Sequence, residues 1–160
     1  MPTQQEEFES IAMPHLAALL RVARRLTPEP ASAEDLVQET MLLAWRGFRQ
    51  FQPGTNARAW LFRILFNAFY GTGRKAQPDT PPSQKSFRPM LQERVEIGEA
   101  LDALPLEQRT VLVLAVVEGF TCQEISGILE VPIGTVMSRL GRARQELRKS
   151  LAPMAKEAYR

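Results

Sequence analysis

The stretch TCQEISGILEVPIGTVMSRLGRARQEL, from Thr121 to Leu147, decides how this 160-residue chain is read. Thr121 and Glu124 stand at the T-x-x-E spacing of a capping box, in which each side chain accepts a hydrogen bond from the other residue's backbone N–H. That starts a short helix with Ile125, Ile128 and Leu129 on its buried side. Pro132 opens the next helix, because its fixed φ suits a first turn and its missing N–H needs no partner there. Val136, Leu140, Ala143 and Leu147 then follow at spacings of 4, 3 and 4, one apolar stripe along a helix. The opposite face carries Thr135, Ser138, Arg142, Gln145 and Lys149, with Arg139 and Arg144 on its flanks. From Ile133 to Lys149 five basic side chains stand against one acid, Glu146, a net +4. A basic helix by itself is equally a solvated surface. Behind a capped helix and a tight turn, it has the layout of a helix-turn-helix, whose second helix enters the DNA major groove.

The rest of the composition narrows the classes. The net charge of +2 hides an uneven distribution: residues 1–76 carry +2, 77–92 carry +1, 93–131 carry −6 and 132–160 carry +5. An acidic half beside a basic half suits a module that turns one face to DNA and another elsewhere. Acids at helix starts and bases at helix ends account for part of it. The single cysteine, Cys122, excludes an internal disulfide, and with one histidine, His15, there is no Cys/His set for zinc. No paired carboxylates or nucleophile–base set stand out, so the expectation is a protein that is not an enzyme, with no cofactor, no metal and no small-molecule substrate. The densest apolar run, Trp60 to Tyr70, is too short to span a bilayer and is broken by Arg63 and Asn67. With no signal pattern at the N-terminus, the expected setting is the cytoplasm, without membrane insertion.

Working outward, helical periodicity runs almost throughout and predicts an all-α fold. A first helix is expected over about Glu6 to Leu26, with Phe8, Ala12, Leu16, Leu19, Ala23 and Leu26 inward and a kink or restart at Pro14. Ser32 and Asp35 form an S-x-x-D start for a second helix to about Gln50, with Val37, Met41, Ala44, Trp45 and Phe48 inward. Its outward face is Asp35, Gln38, Glu39, Leu42 and Arg46. After a Pro53-Gly54 turn, Asn56 caps a third helix reaching about Lys75. Nine of the eleven residues Trp60 to Tyr70 are apolar or aromatic and lie on every side of that helix, more than one buried stripe needs. A central core position accounts for Leu61, Ile64, Leu65 and Ala68, and less well for Phe62, Phe66 and Phe69 together. Arg58, Arg63, Asn67, Arg74 and Lys75 add a polar and basic part. Stacking rings beside a basic path are what capture of single-stranded bases requires. The pattern stops at QPDTPPSQKSFRP (Gln77–Pro89), whose four prolines read as a flexible linker over 77–90. It resumes near Leu91, breaks at Pro105 and continues over Glu107 to Glu118, where Gly119 leads into the Thr121 segment. The expectation is two small helical domains, 1–76 and 91–160, on a Pro-rich linker, the second one a helix-turn-helix.

Three blocks carry a family likeness: AEDLVQETMLLAW (Ala33–Trp45), NARAWLFRILFNAFY (Asn56–Tyr70) and Leu104 to Leu147. In that order and at those gaps, the chain resembles the extracytoplasmic-function (ECF) group of bacterial sigma-70-type sigma factors over nearly its whole length. The resemblance implies a factor that binds core RNA polymerase and directs it to promoter DNA to initiate transcription. It implies polymerase contact through Asp35, Gln38, Glu39 and Leu42. For the minus-10 element it implies the loop Phe51 to Thr55 and the following helix, with Arg58, Trp60, Arg63 and Asn67 as candidates. For the minus-35 element it implies Thr135, Ser138 and Arg142, with Arg139 and Arg144 toward phosphates. It also implies an anti-sigma factor as partner, for which the aromatic third helix is a natural target. The chain departs from the family pattern at Phe66 and Met137, where members often carry a basic residue, and at Gly71 and Glu130.

Two other classes compete. A sigma-like decoy that binds an anti-sigma factor and no DNA has no need of Arg139, Arg142 and Arg144. A dimeric helix-turn-helix repressor leaves the Asp35–Glu39 face and the aromatic helix without a use.

Overall fold

The computed structural model describes residues 1–71 and 92–158, which are helical or irregular with no strand among them. One compact unit takes in Met1–Asp79 and a second takes in most of the remainder. The predicted linker 77–90, with Arg74 and Lys75 ahead of it, lies outside the described residues.

In the first unit, helix α1 (Gln4–Ala12) starts from a capping box absent from the sequence reading. The Glu6 N–H donates to Thr3 Oγ1 at 3.2 Å and the Thr3 N–H donates to Glu6 Oε2 at 2.6 Å. The Thr3 backbone N–H, with its hydroxyl second, holds the Glu6 carboxyl below its ordinary pKa. Pro14 breaks the long first helix as its geometry requires: a 3-10 turn at Met13–His15 separates α1 from α2 (Leu16–Leu26). Burial, together with the Arg58 charge, lowers the pKa of His15 and favours its neutral form.

Helix α3 (Pro30–Gly47) does not start at Ser32. Pro30 takes the first helical position behind Glu29, with no side-chain cap, and Ser32 lies inside the first turn. A proline at that position is preorganised for the helix and outweighs the S-x-x-D signal. The buried line of α3 is Ala33, Leu36, Val37, Thr40 and Ala44, and the Thr40 hydroxyl donates to the Leu36 carbonyl at 2.7 Å. Trp45, expected inward, is 38% exposed, and its ring meets Phe8 edge-on at 5.3 Å. The polar buried position is Thr40 because the stripe is set by which helices α3 meets, not by hydropathy alone.

A 3-10 turn at Phe48–Gln50 and a left-handed Gly54 (φ +85°) lead to α4 (Ala57–Gly71). The expected cap is in place, with the Ala59 N–H donating to Asn56 Oδ1 at 3.0 Å. α4 packs against α1, α2 and α3 and is central to this unit. That placement corrects the reading of its aromatics. Phe62, Phe66 and Phe69 are 0%, 1% and 3% exposed, so all three are core, whereas Ile64 is only half-buried. A helix with neighbours on several sides buries far more than one stripe.

The second unit contains α5 (Gln92–Asp102), α6 (Leu106–Leu112), α7 (Cys122–Leu129) as far as Ser126, and α8 (Ile133–Ala158). Arg109 ties the α5–α6 turn together. Its Nε donates to the Leu101 carbonyl at 3.1 Å, and its Nη2 donates to those of Asp102 and Leu104 at 3.0 Å. It thereby adds side-chain donors to carbonyls at and just beyond the end of α5. The expected helix over Glu107 to Glu118 is not uniform: after Leu112 it widens into a π turn at Val113–Val117. Gly119, at φ +73°, then reverses the chain, and the Phe120 N–H donates back to the Leu114 carbonyl at 3.0 Å. The π turn leaves Val116 and Val117 on the surface. Packing of α6 on α8 forms the centre of this unit, with Val111, Leu114, Ile125, Val136 and Ala143 fully buried.

Thr110 sits in that centre at 1% exposure, and its hydroxyl has no hydrogen-bond partner among the described residues. Thr110→Val keeps the shape and removes the unpaired group, so it is expected to stabilise the unit by about 1–2 kcal/mol. A thermal melt followed by circular dichroism checks this, and a lower midpoint contradicts it.

Candidate nucleic-acid interface

The α7–α8 segment is built by local rules. The Glu124 N–H donates to Thr121 Oγ1 and the Thr121 N–H donates to Glu124 Oε1, both at 3.1 Å, which completes the expected capping box. Ile125 and Ile128 are buried and Leu129 is half-buried. Cys122, in the first turn of α7, is a free, half-buried thiol. The Ser126 hydroxyl donates to the Val131 carbonyl at 2.6 Å and closes the turn. The chain passes Glu130 in the left-handed region, at φ 56°. A side chain there is strained by about 1–2 kcal/mol, and glycine is not. Glu130→Gly is expected to raise stability by up to about 1 kcal/mol, after glycine's own entropy loss. Equilibrium urea unfolding tests it, and a fall in midpoint contradicts it.

Helix α8 begins at Ile133, and Pro132 supplies the carbonyl that accepts from the Val136 N–H at 3.2 Å. Val136, Leu140 and Ala143 are buried and Leu147 is half-buried, as their spacing requires. The other face presents Ser138, Arg142, Gln145 and Lys149 to solvent, with Thr135 half-exposed. Thr135, Ser138, Arg139 and Arg142 line one open cleft of about 420 Å³. Its far wall is the start of α6, where Pro105, Glu107 and Gln108 stand. Glu107 forms an ion pair with Arg139 at 3.6 Å. Glu107 and Gln108 escaped the sequence reading because only the packing of α6 on α8 brings them there. Arg144 is exposed but does not line this cleft. Met137 is 60% exposed, and Ile133 one turn before it is exposed as well, so the surface of α8 also carries apolar side chains.

In the first unit the candidates divide. On α4, at about 100° per residue, Trp60, Arg63 and Asn67 share one face, whereas Arg58 lies on the opposite side. Arg63 and Asn67 are exposed. Trp60 is half-buried, its ring 4.7 Å from that of Phe51 and tilted by 40°. The Arg58 guanidinium lies over the Phe62 ring at 5.9 Å. On α3, Asp35, Gln38, Glu39 and Leu42 are all exposed on the expected face. Leu43 is exposed beside them and borders a shallow groove with Glu39, Ile64 and Asn67. Among the described residues no group of three His, Cys, Asp or Glu is placed to hold a metal, and no helix is long and apolar enough to cross a membrane.

The sequence pattern of Sigma-70 region 2 matches residues 11–78, and that of Sigma-70 region 4 matches residues 94–147. The chain is 37% identical over 145 residues to the ECF RNA polymerase sigma factor EcfG of Rhodopseudomonas palustris, covering 85% of this chain and 78% of that one. The sigma factor RpoE of Bartonella quintana, solved in complex with the anti-sigma factor NepR, aligns with a TM-score of 0.75 at 31% identity. That alignment covers 91% of this chain and 97% of the other. CnrH, solved with the cytosolic domain of CnrY, aligns with a TM-score of 0.72 at 29% identity over 93% of this chain and 90% of its own. Region 2 thus runs from the end of α1 through α4, region 4 runs from α5 into α8, and the chain belongs to the ECF RNA polymerase sigma factors of the sigma-70 family.

Proposed function

We propose that this sigma factor, which as a member of its family directs core RNA polymerase to promoters, does so through three separate surfaces. Asp35, Gln38, Glu39 and Leu42 on α3 dock on the polymerase, where the charges steer assembly and Leu42 adds apolar contact. The face of α4 bearing Trp60, Arg63 and Asn67 receives the opened minus-10 strand, and Arg58 positions Phe62 rather than the DNA. The α7–turn–α8 segment acts as a helix-turn-helix that places α8 in the minus-35 major groove. There Thr135, Ser138 and Arg142 read bases, and Arg139 and Arg144 hold phosphates.

The observation that carries this reading is the division of α8. Its buried line of Val136, Leu140 and Ala143 fixes Ser138 and Arg142 outward, beside Thr135. Domains over 1–76 and 91–160, joined by a tether over 77–90, make two weak readers strong together once polymerase fixes their spacing. A working place in the cytoplasm follows from such a role.

An anti-sigma factor is the expected regulator, supported by the similar sigma factor solved with NepR. The buried rings of α4 are not its target. Leu42 and Leu43, neighbours exposed on α3, are an apolar surface it can cover. The experiment is reconstitution: the full chain mixed with purified core polymerase forms a stoichiometric complex that initiates at discrete genomic sites. A chain that fails to join the polymerase, or a complex that initiates nowhere, refutes the reading.

A further inference from the structure

We infer that Glu107 restrains the DNA affinity of the α8 surface by competing with phosphate for Arg139. The inference rests on α8 being the duplex-contacting helix. Among the side chains that line its cleft, Glu107 is the one acid, and it stands across from Thr135, Ser138 and Arg142. Its partner Arg139 is partly sunk against α6, with a side chain 25% exposed, whereas the Glu107 side chain is 66% exposed. At 3.6 Å the pair is longer than a charge-assisted hydrogen bond and is open to water on the acid's side. Such a pair contributes little to folding. Its consequence is electrostatic: a carboxylate faces the approaching duplex and holds back one of the cations that would meet it.

The competition has a different outcome on different DNA. On a cognate minus-35 element, base contacts from Thr135, Ser138 and Arg142 seat the helix, and a phosphate takes Arg139 from Glu107. On an arbitrary duplex nothing seats the helix and Arg139 stays paired. The cost of opening the pair therefore falls on cognate binding, and Glu107 weakens specific binding at least as much as non-specific binding.

The test uses the full chain and fluorescence anisotropy with two duplexes: one enriched from a random pool by the chain–polymerase complex, and its scrambled counterpart. Glu107→Gln is expected to tighten binding to the enriched duplex about 3- to 10-fold and binding to the scrambled duplex by no more than that. In an Arg139→Ala background the gain on the enriched duplex should shrink to less than about twofold. Unchanged binding to the enriched duplex, a larger gain on the scrambled duplex, or a full gain without Arg139 would each overturn the inference. Arg142→Ala separates the two levels. If it weakens binding to the enriched duplex while Glu107→Gln does nothing, only the role of Glu107 fails. If Arg142→Ala has no effect, the reading of α8 itself fails.

Discussion

Arg142→Ala is expected to weaken binding to a cognate minus-35 duplex by about 1–3 kcal/mol, roughly ten- to a hundredfold, and to relax preference at one base-pair position. Arg142 stands about one helical turn beyond Ser138 on the exposed face of α8, at the edge of the cleft. No ion pair holds it among the described residues, in contrast to Arg139. A guanidinium so placed has its fork free for two acceptors on one guanine edge, which lysine cannot match. Arg144→Ala provides the internal comparison. Arg144 is exposed outside the cleft, so its loss should weaken all duplexes alike and reduce the salt slope by about one. Anisotropy titrations of both variants against single-base-pair variants of an enriched duplex decide the matter. Equal, sequence-independent losses for the two arginines would remove Arg142 from base reading.

What the sequence revealed and what it concealed follows from the range of each interaction. The Thr121–Glu124 box, the Asn56 cap and the break at Pro14 depend on residues within four positions of one another, and each stands where the sequence placed it. The stripe of Val136, Leu140 and Ala143 was equally legible, because α8 buries one side only. Two local signals conflict at the start of α3, and Pro30 prevails over Ser32. On α3 a line through Thr40 is as periodic as one through Trp45, and only the packing partners of the helix choose between them. Glu107 could not be seen at all. It lies far from Arg139 in sequence, and nothing in the periodicity of either helix points across the cleft. The side of the site formed by one helix was thus readable, and the side formed by two was not.

The aromatics of α4 give the sharpest test of that distinction. Phe66→Ala is expected to destabilise the first unit by about 3–5 kcal/mol, and Phe62→Ala by a similar amount. Both rings are among the largest fully buried side chains, at 1% and 0% exposure, and α4 has neighbours from α1, α2 and α3. Truncation there removes transfer energy and leaves a cavity that three surrounding helices can close only in part. Against a typical total of about 5–15 kcal/mol, such a loss brings the unit close to unfolding. Phe66→Arg is expected to be worse still, because the site offers no water to an unpaired charge. The measurement is unusually clean: the chain has two tryptophans, Trp45 and Trp60, both in the first unit, so urea unfolding followed by tryptophan fluorescence reports this unit selectively. Phe51→Ala is the control, since that ring is only half-buried beside Trp60, and its loss should shift the midpoint far less. Had Phe62 and Phe66 been strand-capturing rings, alanine would leave the urea midpoint in place and reduce promoter opening instead. A Phe66→Ala protein with an unchanged midpoint and impaired opening would therefore return these rings to the nucleic-acid face; a large fall in midpoint assigns them to the core on which the Trp60, Arg63 and Asn67 face is mounted.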